Sequence, residues 1–302
     1  MGTAIHIRGL RKEYGSVVAL DGLDLDVAEG EMFGLLGPNG AGKTTTIGVL
    51  TTRVKATAGT AIVAGHDVAK ESVAARAKIG VVPQRPNPDR GLTVRENLVF
   101  HATYFGVARA EAARRADALL ERLGIAEKRD AKPDALSGGQ QQRMMIARAL
   151  THEPEVLFLD EPSVGLDPQA RLAIWDILRE LRAQGRTIVM TTHYMEEADQ
   201  LCDRIAIVDR GRLLSCDTPA ALRAQAPGET IVDVMFDREL TGDPPSIDGV
   251  SRVEFRGPVL RARSRTPRPR PFHHCSRTAT RAAGRCGTSS SRAPAWKRSS
   301  FR

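Results

Sequence analysis

The 302-residue chain has no window approaching the roughly 18 apolar residues that a membrane-spanning helix needs, and its N-terminus lacks a signal peptide's basic and apolar regions. Any membrane contact is therefore expected to be peripheral. Cysteine is scarce: Cys202, Cys216, Cys275 and Cys286 match neither a disulfide framework nor a zinc site in spacing, which suits a reducing compartment. His273, His274 and Cys275 lie close together, but Cys286 is too isolated to complete a zinc site. Acidic side chains are missing from Arg256 to Arg302, where 13 Lys and Arg stand, so the net charge of +8 originates in this tail. Residues 1–255 hold 31 basic and 36 acidic side chains, a net of −5, which gives no electrostatic reason to expect nucleic acid as partner. Internal repeats are absent as well.

What is present is strands alternating with helices. The length suits one α/β domain of about 200 to 250 residues with a smaller appendage. Residues 4–10 and the run Val17, Ala19, Leu23, Leu25, Val27 read as half-buried strands. Met32 to Leu36 is a nearly all-apolar strand, followed by a glycine-rich turn and a helix from about Lys43. Residues 79–82 read as another strand, and helical segments at 94–105 and 109–124 form an inserted helical region. Beyond it come a helix from Gly139, a buried strand Val156 to Leu159, a helix from Pro168 and a strand Thr187 to Thr191. This order predicts an α/β, P-loop type of fold: a largely parallel sheet core with an N-terminal antiparallel β part, an inserted helical subdomain and a short strand-rich C-terminal unit. The expected boundaries are a main domain over 1–225, with its helical subdomain at about 85–150, and the start of a small β unit over 226–260. A basic tail over 261–302 follows.

Two motifs carry chemistry. The stretch from Gly37 to Thr44, Gly-Pro-Asn-Gly-Ala-Gly-Lys-Thr, fits G-x-x-x-x-G-K-[ST] and stands between a buried strand and a helix. Glycines let the backbone bring its N–H groups close to phosphate oxygens, and the helix N-terminus adds favourable partial charge. Lys43 is placed to reach the β and γ phosphates and the Thr44 hydroxyl to ligate Mg²⁺. The plain alternative, a glycine turn with a surface lysine, does not explain this context. The second motif, Val156 to Glu161, sets Asp160 and Glu161 at the carboxyl end of a buried strand, the edge of an open α/β sheet where ligands bind. Asp160 suits Mg²⁺ and Glu161 suits polarising the attacking water; a solvated acidic loop is the alternative. Together they indicate a nucleoside triphosphatase without choosing its family.

A third motif chooses. Leu136-Ser137-Gly138-Gly139-Gln140, followed by Gln141-Gln142-Arg143, resembles the signature sequence of ABC ATPases. Physically it is a second anion site, with Ser137 able to cap a helix while its hydroxyl, glycine N–H groups and the helix dipole face a phosphate. The resemblance implies that Ser137, Gly139 and Gln140 close over ATP held by a second copy, so that hydrolysis depends on a homodimer with composite sites. It also implies that Gly37, Asn39, Gly40, Gly42, Lys43, Thr44 and Thr45 cradle the nucleotide and that Tyr14 stacks on adenine, a core tyrosine being the alternative. Gln84 would touch Mg²⁺ and the attacking water, Asp167 would lie in the loop crossing the dimer interface, and His193 would contact the γ-phosphate. Thr44, Gln84 and Asp160 are thus the metal candidates, and Glu161, His193 and Gln84 the catalytic ones.

The strings 92–98, 165–171 and 193–199 narrow the resemblance to the daunorubicin-resistance type of ATP-binding subunit, firmly over Ile5 to about Arg223 and loosely over Thr230 to Val259. That family implies ATP and Mg²⁺ as cofactors and a separate six-helix permease as partner. It further implies export of drugs, natural products or lipids, and a place on the cytoplasmic face of the membrane. A soluble ABC ATPase acting on ribosomes or DNA is the rival, disfavoured by a single cassette and a short insertion, and a non-catalytic binding module is a third reading.

The family would close with something like Pro-Ser-Leu-Glu-Glu-Val-Phe-Leu, whereas this chain runs Ala293 to Phe301. Codons read from the third base of Ala293 permit the family string, and Trp296-Lys297 forces its first Glu. The tail therefore reads as the product of a frame change near 260–270, with a basic disordered arm as the alternative. A frame change would leave strands 230–236 and 250–256 without partners.

Overall fold

The computed structural model of the chain describes residues 2–225, 230–237, 239–247 and 250–264. The protein divides into two compact units, parted between Pro219 and Ala220. The first opens with β1 (Thr3–Tyr14) and β2 (Val17–Ala28), an antiparallel pair. Leu23, Leu25 and Val27 are buried while their neighbours face out, the period-2 signature of a sheet covered on one side. All five residues of β3 (Met32–Leu36) are buried. Next come α1 (Lys43–Leu50), β4 (Ala58–Val63), β5 (His66–Asp67), α2 (Ser72–Ala77) and β6 (Ile79–Val82). An antiparallel sheet of order β2-β1-β4-β5 results.

The helical insertion consists of α3 (Val94–Tyr104), α4 (Arg109–Arg122) and α5 (Gly138–Leu150). A capping box between Thr93 and Glu96 starts α3, and Arg95 grips Asp117 of α4 through two hydrogen bonds of 2.7 and 2.9 Å. The chain then returns through β7 (Val156–Asp160), α6 (Pro168–Ala183), β8 (Thr187–Thr192), α7 (Met195–Leu201), β9 (Arg204–Asp209), β10 (Arg212–Asp217) and α8 (Pro219–Gln225). The second sheet has the order β10-β9-β3-β8-β7-β6, with β10 antiparallel at one edge and all other pairs parallel. Six of the eight α1 residues are buried, because this helix packs against strands of both sheets in one core that includes Ile5, Leu23, Ile47, Phe158 and Val208.

Register places the site. Leu36 lies beside Thr192, and Asp160 beside Thr191, so the carboxyl ends of β3, β7 and β8 finish at one edge. Three segments leave that edge together: the glycine-rich loop after β3, Glu161 after β7 and His193 after β8. Among the described residues no helix is long and apolar enough to cross a membrane.

The second unit takes in α8 from Ala220 onward and contains β11 (Thr230–Met235), β12 (Arg252–Arg256) and β13 (Val259–Ser264), antiparallel in the order β11-β13-β12. Here the sequence expectation needs correction. Regular structure does not fade at Arg261 but continues to Ser264, and β13 pairs with both strands that the frame-change reading left unpartnered. Its alternation is hidden by arginines: Leu260 and Ala262 are buried beside Phe236, while Arg261 reaches Asp233 through two bonds of 2.7 Å. Residues 265–302, including Cys275 and Cys286 and the segment to which the frame-change and basic-arm readings apply, lie outside the described residues.

Candidate functional site

The glycine-rich loop is held by close backbone packing. A Cβ on Gly37 would come within 2.2 Å of the Val208 carbonyl oxygen, and one on Gly42 within 2.7 Å of the Ala19 carbonyl oxygen. Gly42 also takes a φ of 103°, which disfavours any side chain. Both positions therefore need glycine irrespective of ligand. Asn39 and Gly40 at the crest are exposed, Thr44 is exposed and Thr45 half-buried at the start of α1.

Lys43 is buried, with its Nζ donating to the carbonyls of Gly37 at 2.8 Å and Pro38 at 3.1 Å, and lying 3.7 Å from Glu161 Oε1. Glu161 is the centre of the arrangement. Its Oε2 accepts from Gln84 Nε2 at 3.1 Å, and its Oε1 lies 3.2 Å from His193 Nδ1. Thus three side chains separated widely in sequence converge on one carboxylate. The Glu161 backbone has φ +50°, a left-handed conformation that non-glycine residues adopt under local constraint.

That constraint comes from Thr191, a residue that the sequence analysis placed only as a strand end. Its hydroxyl donates to Asp160 Oδ1 at 2.5 Å and accepts the Glu161 N–H at 3.0 Å, holding the Asp160 carboxylate and the Glu161 backbone at once. Thr44 Oγ1 also approaches Asp160 Oδ1, at 3.4 Å. A hydroxyl-bearing pair, Thr191-Thr192, at the end of a strand adjoining one that ends in Asp-Glu was the available signal. Gly211 was missed too: its N–H donates to Ala41 O at 2.9 Å, bracing the phosphate loop from the β9–β10 turn.

Ser137 and Gly138 are exposed at the N-terminus of α5. A capping box fixes them, with Gln140 N–H donating to Ser137 Oγ at 3.3 Å and Ser137 N–H to Gln140 Oε1 at 3.0 Å. Gly139 is buried instead, and a Cβ there would stand 2.8 Å from Ala170 Cβ, so its small size lets α5 approach α6. Asp167, exposed, caps α6 by accepting from Ala170 N–H at 2.9 Å. Tyr14, at the far end of β1, is 48% exposed and carries Lys12 over its ring at 4.7 Å, which excludes the core-tyrosine alternative.

A groove of about 610 Å³ leads away from Thr44, Gln84 and Asp160 towards the helical insertion. Arg53, Arg76, Arg85 and Arg148 line it, and among the described residues Asp160 is its one acidic lining residue. His101 sits in its wall, its pKa pushed down to about 3 by burial and by neighbouring Arg148 and His152.

Comparison with known proteins decides the family. The sequence model of the ABC transporter family matches residues 20–164. The chain is 46% identical over 257 residues to Nod factor export ATP-binding protein I of Paraburkholderia xenovorans (strain LB400), covering 85% of this chain and 84% of that protein. It belongs to the ABC transporter family, as an ATP-binding protein. The daunorubicin resistance ATP-binding protein DrrA3 of Streptomyces coeruleorubidus is likewise 46% identical, over 229 residues covering 76% of this chain and 72% of that one. Among solved structures, a dimeric post-hydrolysis state of the ATP-binding cassette MJ0796 with ADP and Pi superposes with a TM-score of 0.66. It is 28% identical, and the match covers 71% of this chain and 98% of that one. This ABC ATPase binds and hydrolyses ATP, as its membership implies, and the resemblance to the daunorubicin-resistance type is borne out. The rival that acts on ribosomes or DNA finds no support in these relatives.

Proposed function

We propose that two copies of this ABC ATPase enclose two ATP molecules and that their closing and reopening drive export of a drug, natural product or lipid through a separate six-helix permease. The names of the Nod factor export and daunorubicin resistance relatives support the direction, and the dimeric cassette supports the pairing. The observation that carries the reading is the convergence of Lys43, Gln84 and His193 on the Glu161 carboxylate.

In this reading Lys43 exchanges its bonds to Gly37 and Pro38 for the β and γ phosphates, and Glu161, freed from its cationic neighbour, orients the attacking water. Gln84 and His193 hold that carboxylate and meet the γ-phosphate side, while Tyr14 stacks on the base. Thr44 and Asp160 offer hard oxygens 3.4 Å apart, a donor pair suited to Mg²⁺ completed by phosphate and water oxygens. Mg²⁺ supplies charge neutralisation on the transferred phosphoryl group. Ser137, Gly138 and the α5 N-terminus, exposed on one copy, cover the phosphates of the other, with Asp167 beside them at the interface. The arginine-lined groove receives a cytoplasmic segment of the permease, and its positive lining suits a segment bearing carboxylates. This docking holds the protein at the cytoplasmic face of the membrane.

Ser137→Arg tests the composite site. A bulky cation there leaves ATP binding by single copies intact and abolishes hydrolysis; turnover retained in the variant would contradict the reading.

A further inference from the structure

Helix α7 is seven residues long and starts at Tyr194 without a side-chain cap. So short a helix does not hold its own orientation, which must come from what it packs on. His193 precedes it directly, so the roll of α7 about its axis decides where the imidazole points. The helix packs on β3, β8 and α6, and its seam against α6 includes polar side chains.

Arg171 and Trp175 are four residues apart and share a face of α6. Opposite them stand Tyr194 and Glu197. The Arg171 guanidinium lies 5.2 Å from the Tyr194 ring centre, and the Tyr194 ring lies 4.1 Å from that of His193. Trp175 Nε1 donates to Glu197 Oε1 at 3.1 Å. Glu197 is 1% exposed and its other oxygen has no partner among the described residues, while Trp175 is 6% exposed. A carboxyl group buried this deeply against a neutral donor is costly, and an apolar side chain of similar volume would pack there more favourably. Stability alone does not account for it.

We infer that Trp175 and Glu197 are positioning residues for His193. Their bond is directional where apolar packing is not. It fixes the roll of α7 so that His193 Nδ1 meets Glu161 Oε1 at 3.2 Å. It also ties that histidine to the helix whose N-cap is Asp167, so a displacement of α6 at the dimer interface reaches the hydrolytic carboxylate. The inference rests on the proposed role of His193.

Three variants and one control test it by steady-state ATP hydrolysis, equilibrium ATP binding and thermal melting. Glu197→Leu, which fills the volume without an acceptor, melts no lower than wild type yet has a kcat about tenfold lower with an unchanged KM for ATP, the mark of a misplaced group. Trp175→Phe, which removes only the donor, shows the same split, and Glu197→Gln, which keeps an acceptor, retains wild-type kcat. Wild-type kcat in both Glu197→Leu and Trp175→Phe would overturn the inference, as would a rise in KM that accounts for the loss. The control is His193→Ala. Loss of turnover there together with wild-type behaviour of the seam variants sinks the inference alone, whereas wild-type turnover there sinks the role of His193 and the inference with it.

Discussion

Glu161→Gln removes one charge from a group of four side chains in which Lys43 and Glu161 are buried and Gln84 and His193 are exposed, and the structure sets the size of each consequence. At an effective dielectric near 20, unit charges 3.7 Å apart attract by about 4 to 5 kcal/mol, the bound on what Lys43 and Glu161 give each other. Lys43 keeps its Gly37 and Pro38 carbonyl acceptors in the variant, and Gln84 and His193 still meet an amide of the same shape. The amide offers one acceptor oxygen where the carboxylate offers two, so Gln84 must turn its own amide to present its oxygen to the new NH2. With that adjustment the nucleotide-free protein loses about 1 to 2 kcal/mol, seen as a melting temperature about 2 to 8 °C lower. Binding moves the other way. Glu161 competes with phosphate for Lys43, and each ~1.4 kcal/mol of that competition is worth tenfold in affinity. ATP affinity in the variant is therefore retained or raised up to about tenfold, while hydrolysis falls by about 10² to 10⁴ with the general base gone. Equilibrium binding of a fluorescent ATP analogue and phosphate release measure the two quantities. Turnover within a few-fold of wild type would remove Glu161 as the base. Loss of affinity together with turnover would show that Glu161 builds the site and does not act in the chemistry.

Two further predictions concern the groove. Arg53→Glu should leave basal ATP hydrolysis unchanged and depress permease-coupled transport, with rescue by a carboxylate-to-lysine change in the docking segment; undiminished transport would discard the arginines as the contact. His101 contributes to acid sensitivity, in the same direction as His152, whose pKa burial also lowers: the folded pKa of His101, about 3, lies below the usual histidine value, so the unfolded chain binds the extra proton between the two. Its stabilising contribution is present above about pH 6.5 and is lost as pH falls, by up to about 1.4 kcal/mol per pH unit. Chemical denaturation of the wild type and of His101→Phe from pH 7 to pH 5 should show the steeper loss in the wild type, and equal slopes would refute it.

The elements that carry the nucleotide chemistry were legible because each declares itself over a few residues. Met32–Leu36 is a fully buried strand without polar interruption, the glycines after it have no other economical explanation, and Val156–Asp160 ends on its carboxylates. Several of the elements missed have a short or masked pattern, although β9, with Ile205, Ala206 and Val208 buried, does not. In β4 only the last three residues are even partly buried, in β10 none is fully so, and α7 buries three of seven. β13 hides two inward residues among arginines that read as tail. Within the site, residue type was readable and mutual position was not. That Thr191 would hold the Asp160 carboxylate and the Glu161 backbone together depends on β7 and β8 being neighbours in register, a long-range property of the sheet. Gly139 shows the converse: its place in the signature suggested phosphate contact, and the fold also assigns it to the packing of α5 on α6.

The most direct test of the composite site is a crosslink between copies. Asn39 at the crest of the phosphate loop and Gly138 at the start of α5 are both exposed, and a Cβ at Gly138 meets its nearest neighbour at an ordinary 3.6 Å, so cysteines are tolerated at both positions. With the native cysteines replaced by alanine, Asn39→Cys/Gly138→Cys protein should form covalent dimers under mild oxidation when ATP is added, and far fewer without it. Protein that stays monomeric with saturating ATP would contradict the account.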